Sequence, residues 1–179
     1  GGRKTDAHLD YPFWPVDKPD FVSVWIPFDD VHPGGGMMSY VQGSHAAGIT
    51  DFVDIGQLRG GEPVDLLQNE EVARLPLVPV AAPKGSAIFH HACTIHAADA
   101  NETDQTRRVF TMVYMADGLR RSRDEPYFAL DRDEIKTGDL VVGPGHPVAW
   151  PLPGGELPVP PSAPGPKTGF RFSEGDETQ

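Results

Sequence analysis

The chain has 179 residues, 39% hydrophobic and 23% charged, with a formal net charge of −11. That balance suits one globular domain with a core of its own, and the acidic excess argues against a nucleic-acid partner, which would favour a basic face. Cys93 is the only cysteine, so no intrachain disulfide can form; no stretch is apolar enough to span a membrane, and GGRKTDAHLD lacks a signal-peptide core, so the expectation is cytoplasmic.

In chain order, the first notable segment is His8-Leu9-Asp10, where a strand would turn the imidazole and the carboxylate to one face. Asp20 to Phe28, rich in Phe, Val, Trp and Ile, reads as a strand, as does the shorter Met37 to Val41. Pro33-Gly34-Gly35-Gly36 is a tight connection, and in Gly43-Ser44-His45 hydroxyl and imidazole are suited to bonding backbone groups. Leu66 to Arg74 alone has a helical pattern. Strands follow at Leu75 to Ala82, Ser86 to His91, around His96, and from Arg107 to Met115, with Pro83-Lys84-Gly85 as a turn. Arg120, Arg121 and Arg123 read as a solvated turn, and His32 and His146, in Pro/Gly turns, as exposed. Nine of the 19 prolines fall between Pro144 and Pro166, and prolines cannot donate to a strand ladder. The expectation is therefore an all-β jelly-roll core over residues 1–142 and an extended or disordered tail over 143–179.

His8, Asp10 and a second imidazole from His96 would form a facial set of two histidines and a carboxylate. Such a set suits a divalent iron and leaves three coordination positions open. The tripeptide alone is a weak signal, because a His-x-Asp pair on a strand is usually a solvated polar face. His90 and His91 end a strand and one of them must face inward, so a metal role is conceivable for it. Arg107 and Arg108 are adjacent, and alternation does not decide which faces the interior.

The stretches PDFVSVWIPFDDVHPGGGMMSYVQGSHAAG and KGSAIFHHACTIHAADANETDQTRRVF resemble the phytanoyl-CoA dioxygenase family of iron(II)- and 2-oxoglutarate-dependent oxygenases. The shared elements are His8-x-Asp10, Trp25, Asp29-Asp30 and Gly43-Ser44-His45, then His96 with Asn101 five residues on and Arg107 eleven on. The resemblance covers about residues 6 to 117. It implies a double-stranded β-helix, Fe(II) on His8, Asp10 and His96, and 2-oxoglutarate as co-substrate anchored by Arg107 and packed against Trp25. It passes over His90 and His91, leaving them as a packing and a surface residue; Asn101 itself reads as a cap on the loop after His96, with a substrate contact as the alternative. Halogenating relatives replace the carboxylate with a small residue, so Asp10 favours hydroxylation. Relatives also carry a region ahead of the His-x-Asp pair, and the chain looks like the C-terminal part of a longer protein. The expected function is hydroxylation of a small organic substrate, with 2-oxoglutarate and O₂ converted to succinate and CO₂. Alternatives are a cupin-like metal-dependent isomerase or hydrolase, and a non-catalytic β-sandwich binding domain.

Overall fold

Strands form within the β-branched and aromatic runs, and every named pairing is antiparallel. The computed structural model describes residues 2–55, 64–151 and 154. It divides into two units, Gly1–Trp14 with Pro19–Met115, and Pro15–Lys18 with Ala116–Gln179.

The first unit contains β1 (Thr5–His8), β2 (Phe21–Pro27), β3 (Met38–Val41), β4 (Leu77–Val80), β5 (Ile88–His91), β6 (His96–Ala98) and β7 (Val109–Met115). They form two sheets, ordered β1-β6-β3-β4 and β5-β2-β7, the expected mainly-β arrangement. Trp25 and Ile88 of the second sheet pack with Met38, Tyr40 and Ala98 of the first, so this cluster fills the space between the sheets. Leu9, Val41, Ile95 and Ala7 belong to a separate cluster, closed over by Leu66, Val72 and Val53. Since Val41 is odd-numbered and Met38 and Tyr40 even, strand alternation assigns the two clusters to opposite faces of the first sheet. Pro79 is tolerated in β4 because that strand lies at the sheet's edge.

The helix expected over Leu66 to Arg74 does not form; two 3₁₀ turns, Leu66–Gln68 and Val72–Arg74, stand there instead. The Asn69 carboxamide accepts from Glu71 N at 2.9 Å, and Asp65 accepts from Leu67 N at 3.0 Å. These local bonds compete with a continuous helix, while both turns still bury one apolar side chain each, Leu66 and Val72.

The second unit is organised by Arg121, which corrects the expectation of a solvated arginine cluster. Arg121 is only 4% exposed. It meets Asp131 at 2.7 Å and donates to the carbonyls of Ile135, Glu125 and Arg123. Asp131 ends the short helix α1 (Phe128–Asp131) and accepts from Tyr127 N at 2.6 Å. Of the proline-rich stretch, residues 152, 153 and 155–179 lie outside the described residues. At its described start Gly143 bridges His146, and Asp133 accepts from Gly145 N and His146 Nδ1, both at 2.8 Å. His146 is therefore half-buried and paired, contrary to its expected exposure.

Candidate metal centre

His8 and His96 are brought together by pairing: β1 and β6 are antiparallel neighbours, and the two histidines are register partners. Their ring centroids are 4.2 Å apart. The strand expected to carry both His8 and Asp10 ends at His8. Asp10 has helical dihedrals, φ −75 and ψ −33, and opens the 3₁₀ turn Tyr11–Phe13, where Pro12 supplies a preset φ. The carboxylate thus reaches the histidines through a turn, while Leu9 between them points into the cluster on the other face.

His8 Nδ1 lies 2.7 Å from the carbonyl of Asp6, and His96 Nδ1 lies 2.9 Å from that of Thr94. A carbonyl only accepts, so each Nδ1 carries the proton and each Nε2 is left with its lone pair. Those two nitrogens and Asp10 Oδ1 face one another, with His96 Nε2 at 3.7 Å and His8 Nε2 at 4.0 Å from the oxygen. One ligand atom from each of His8, Asp10 and His96 lies within 4.8 Å of the others. The structure brings the three expected residues to one point. Two neutral imidazoles and one carboxylate oxygen are a donor set that fits a divalent iron.

Electrostatics favour the ligating protonation states. Burial works against ionisation of Asp10, but the hydrogen bond from His90, the field of His96 and the Ser23 hydroxyl outweigh it and hold its carboxyl at about 2. Burial pushes His8 down and takes His96 down to about 4, assisted at His96 by the neighbouring His8. Tyr40 stacks on His96 at 5.8 Å, and burial with the Asp10 charge pushes its phenol well above the usual range.

Arg107 lies just ahead of β7, which begins at Val109 and so leaves it outside the ladder. It is half-buried, its Nη1 donates to the Gly36 carbonyl, and its Cζ sits 5.5 Å from the Trp25 ring centroid. Trp25 is 7% exposed and belongs to the cluster between the sheets. Gly36 has φ +76, and a Cβ there would come within 3.2 Å of Arg107 Nη1, so glycine leaves the guanidinium its place. Among the described residues no carboxylate pairs with Arg107, and burial pushes its pKa down. Arg108 differs: it is exposed and forms an ion pair with Asp29 at 2.7 Å.

His90 is buried and touches the metal set directly, its Nε2 3.1 Å from Asp10 Oδ2. It had been expected to serve only in packing. Ser23, which sequence reasoning did not single out, is its cross-strand partner and donates to the same oxygen. The signal was available in part, because Ser23 shares a strand face with the inward Trp25. His91 is exposed; its Nδ1 accepts from Cys93 N at 3.1 Å. Ser44 is buried, donates to Val41 O and accepts from Ile95 N, both at 2.8 Å, which ties β6 to the end of β3. Asn101 accepts from Thr103 N and Thr103 Oγ1 and donates to Gln105 O, closing the loop after His96. His32 is exposed.

Comparison with known proteins gives these residues a context. Residues 1–109 match the family Phytanoyl-CoA dioxygenase (PhyH). The phytanoyl-CoA dioxygenase domain-containing protein 1 homolog of Caenorhabditis briggsae is 30% identical over 122 residues, 64% of this chain and 41% of that protein. A probable alpha-ketoglutarate-dependent hypophosphite dioxygenase of Stutzerimonas stutzeri is 25% identical over 124 residues, again 64% and 41%. Among solved structures, the epimerase SnoN in complex with Fe³⁺, alpha ketoglutarate and nogalamycin RO is 30% identical with a TM-score of 0.56, covering 67% of this chain and 45% of SnoN. The non-heme alpha ketoglutarate dependent carbocyclase SnoK from nogalamycin biosynthesis is 29% identical with a TM-score of 0.59, covering 79% and 53%. The chain spans about two fifths of the curated relatives it matches and about half of these structures. Among the described residues no helix is long and apolar enough to cross a membrane. With a match over more than half of its length, the chain belongs to the phytanoyl-CoA dioxygenase family.

Proposed function

We propose that this chain carries the metal and co-substrate site of an Fe(II)- and 2-oxoglutarate-dependent dioxygenase that hydroxylates a small organic molecule. The observation that carries the reading is the convergence of two histidines with free Nε2 atoms and one ionised carboxylate oxygen within 4.8 Å. Iron bound there would supply oxygen activation coupled to conversion of 2-oxoglutarate and O₂ to succinate and CO₂. The protein's own residues do the rest. His8, Asp10 and His96 would occupy one face of the metal and leave the other for co-substrate and oxygen. Arg107 is a half-buried cation without a carboxylate partner among the described residues, suited to the distal carboxylate of 2-oxoglutarate in a two-pronged pair. Trp25 holds the guanidinium from one side and offers its ring as a wall. Met37, Met38, Val31 and Ala82, buried around it, keep water out. Asp10 fills the position a halide would need, which favours oxygen insertion.

The test is to add Fe(II) and 2-oxoglutarate without oxygen and watch for the weak visible band of their chelate, then admit oxygen and assay succinate. No band with the parent chain overturns the reading.

A further inference from the structure

Resting on the metal reading above, we infer that His90 and Ser23 are positioning residues that together clamp one oxygen of Asp10 and leave only the other for the metal. The two donors are register partners, one on β5 and one on β2, and both belong to the second sheet. Asp10 follows β1 of the first sheet. Both donors converge on Oδ2, His90 Nε2 at 3.1 Å and the Ser23 hydroxyl beside it. Oδ1 is the oxygen that faces His8 Nε2 and His96 Nε2. The division of labour between the two oxygens is complete: Oδ2 has two lone-pair directions and receives two donors.

This arrangement fixes the state of His90. A carboxylate only accepts, so the hydrogen of that contact sits on Nε2, and the ring's other nitrogen is Nδ1. That Nδ1 is buried without a hydrogen-bond partner. It follows why a third histidine beside the site is not a third imidazole ligand: the nitrogen near the metal set carries hydrogen, and the other points away from Asp10. Its ring is held between His96, at 4.5 Å between centroids, and Tyr40, at 5.4 Å. With Oδ2 saturated, Asp10 can bind only through one oxygen, and a coordination position that chelation would consume stays open. Outer partners of this kind typically change metal affinity by 10–100-fold when removed.

Cobalt(II), which reports its coordination number through its visible bands, is the probe, titrated into the full chain and into His90→Phe, His90→Gln and Ser23→Ala. Circular dichroism and melting confirm that each is folded. His90→Phe should weaken Co(II) binding about 10-fold or more and alter the band intensities as Asp10 becomes free to chelate. His90→Gln, whose amide N–H can replace the Nε2 donor, should recover most of both changes. Ser23→Ala should move both in the same direction by less. Parent-like affinity and spectra in His90→Phe and Ser23→Ala overturn the clamp while leaving the metal reading in place. Loss of binding in His90→Phe as complete as in Asp10→Ala, without rescue by glutamine, overturns it in favour of His90 as a ligand. If His90→Phe does not fold, His90→Gln and Ser23→Ala decide. Absence of Co(II) binding by the parent defeats the metal reading itself, and the clamp with it.

Discussion

Replacing Arg107 by alanine isolates the co-substrate reading from the metal reading, because the guanidinium bonds Gly36 and sits over Trp25, with no ion pair to Asp10. Its only hydrogen-bond acceptor among the described residues is the Gly36 carbonyl, which leaves Nη2 and Nε to meet a carboxylate. A charge-assisted pair contributes about 1.5–3 kcal/mol. Arg107 is half-buried and partly screened by solvent, yet Trp25 covers one face and a two-pronged geometry is available, so the upper half of that range applies. About 2–3 kcal/mol corresponds to a loss of roughly 30–150-fold in affinity for 2-oxoglutarate. Arg107→Lys should recover only part, since an ammonium cannot meet both oxygens in one plane. Arg108→Ala should be near neutral, because its partner Asp29 is a surface contact. Anaerobic titration of 2-oxoglutarate with Fe(II) present, followed by the chelate band, measures all three. Equal affinity in Arg107→Ala and the parent would refute the anchoring role.

Metal affinity should respond weakly to mild acid. His96 titrates at about 4 and Asp10 at about 2, so neither gives up a proton to a metal above about pH 5.5, and His8, held below its ordinary 6.5 by burial, is the one ligand left to do so. Co(II) affinity should change between about pH 7.5 and 5.5 by no more than one proton per metal and fall more steeply towards pH 4; a slope of two protons per metal over the upper range would contradict this. The metal-free fold should lose stability over the same descent, because the unfolded chain's histidines take up protons from about pH 6.5 that His96 refuses until about 4. Products formed with chloride present should carry oxygen and no chlorine, as mass spectrometry would show, because Asp10, bound as proposed, would fill the halide's position. In the second unit, Arg121→Ala should cost about 3–5 kcal/mol in urea unfolding, since it removes a buried cation from Asp131 and from three backbone carbonyls. A loss below about 1 kcal/mol would show that solvent replaces it.

The strands were legible because Val, Ile, Phe and Trp concentrate in them and Gly or Pro bounds them, as at Phe21–Pro27. His8 and His96 stand out in the sequence through motif offsets, and the structure makes them register partners across β1 and β6, which those offsets do not specify. Three features were not legible. Asp10 leaves the strand because Tyr11-Pro12-Phe13 starts a turn directly after it, and the fixed φ of Pro12 overrides the strand alternation of His8 and Asp10. His90 and Ser23 act through a contact between residues 80 and 13 positions from Asp10, and nothing local specifies which two donors will meet one oxygen. Arg121 looked like one of three equivalent surface arginines, and only the carbonyls gathered around it from both sides of α1 distinguish it.

Leu9 separates the two proposed ligands His8 and Asp10 and is itself 1% exposed, locked among Val41, Ile95, Leu66 and Val72. The metal set and this cluster are thus two sides of one lever, with the backbone of a single residue as its fulcrum. A methyl group lost from Leu66 or Val72, neither of which contributes a ligand, can be relayed as a rotation of the His8–Asp10 pair. If His8 and Asp10 hold a metal as proposed, sequence change in that pocket is constrained by metal geometry as well as by stability, and a variant that folds well can hold the pair at the wrong angle.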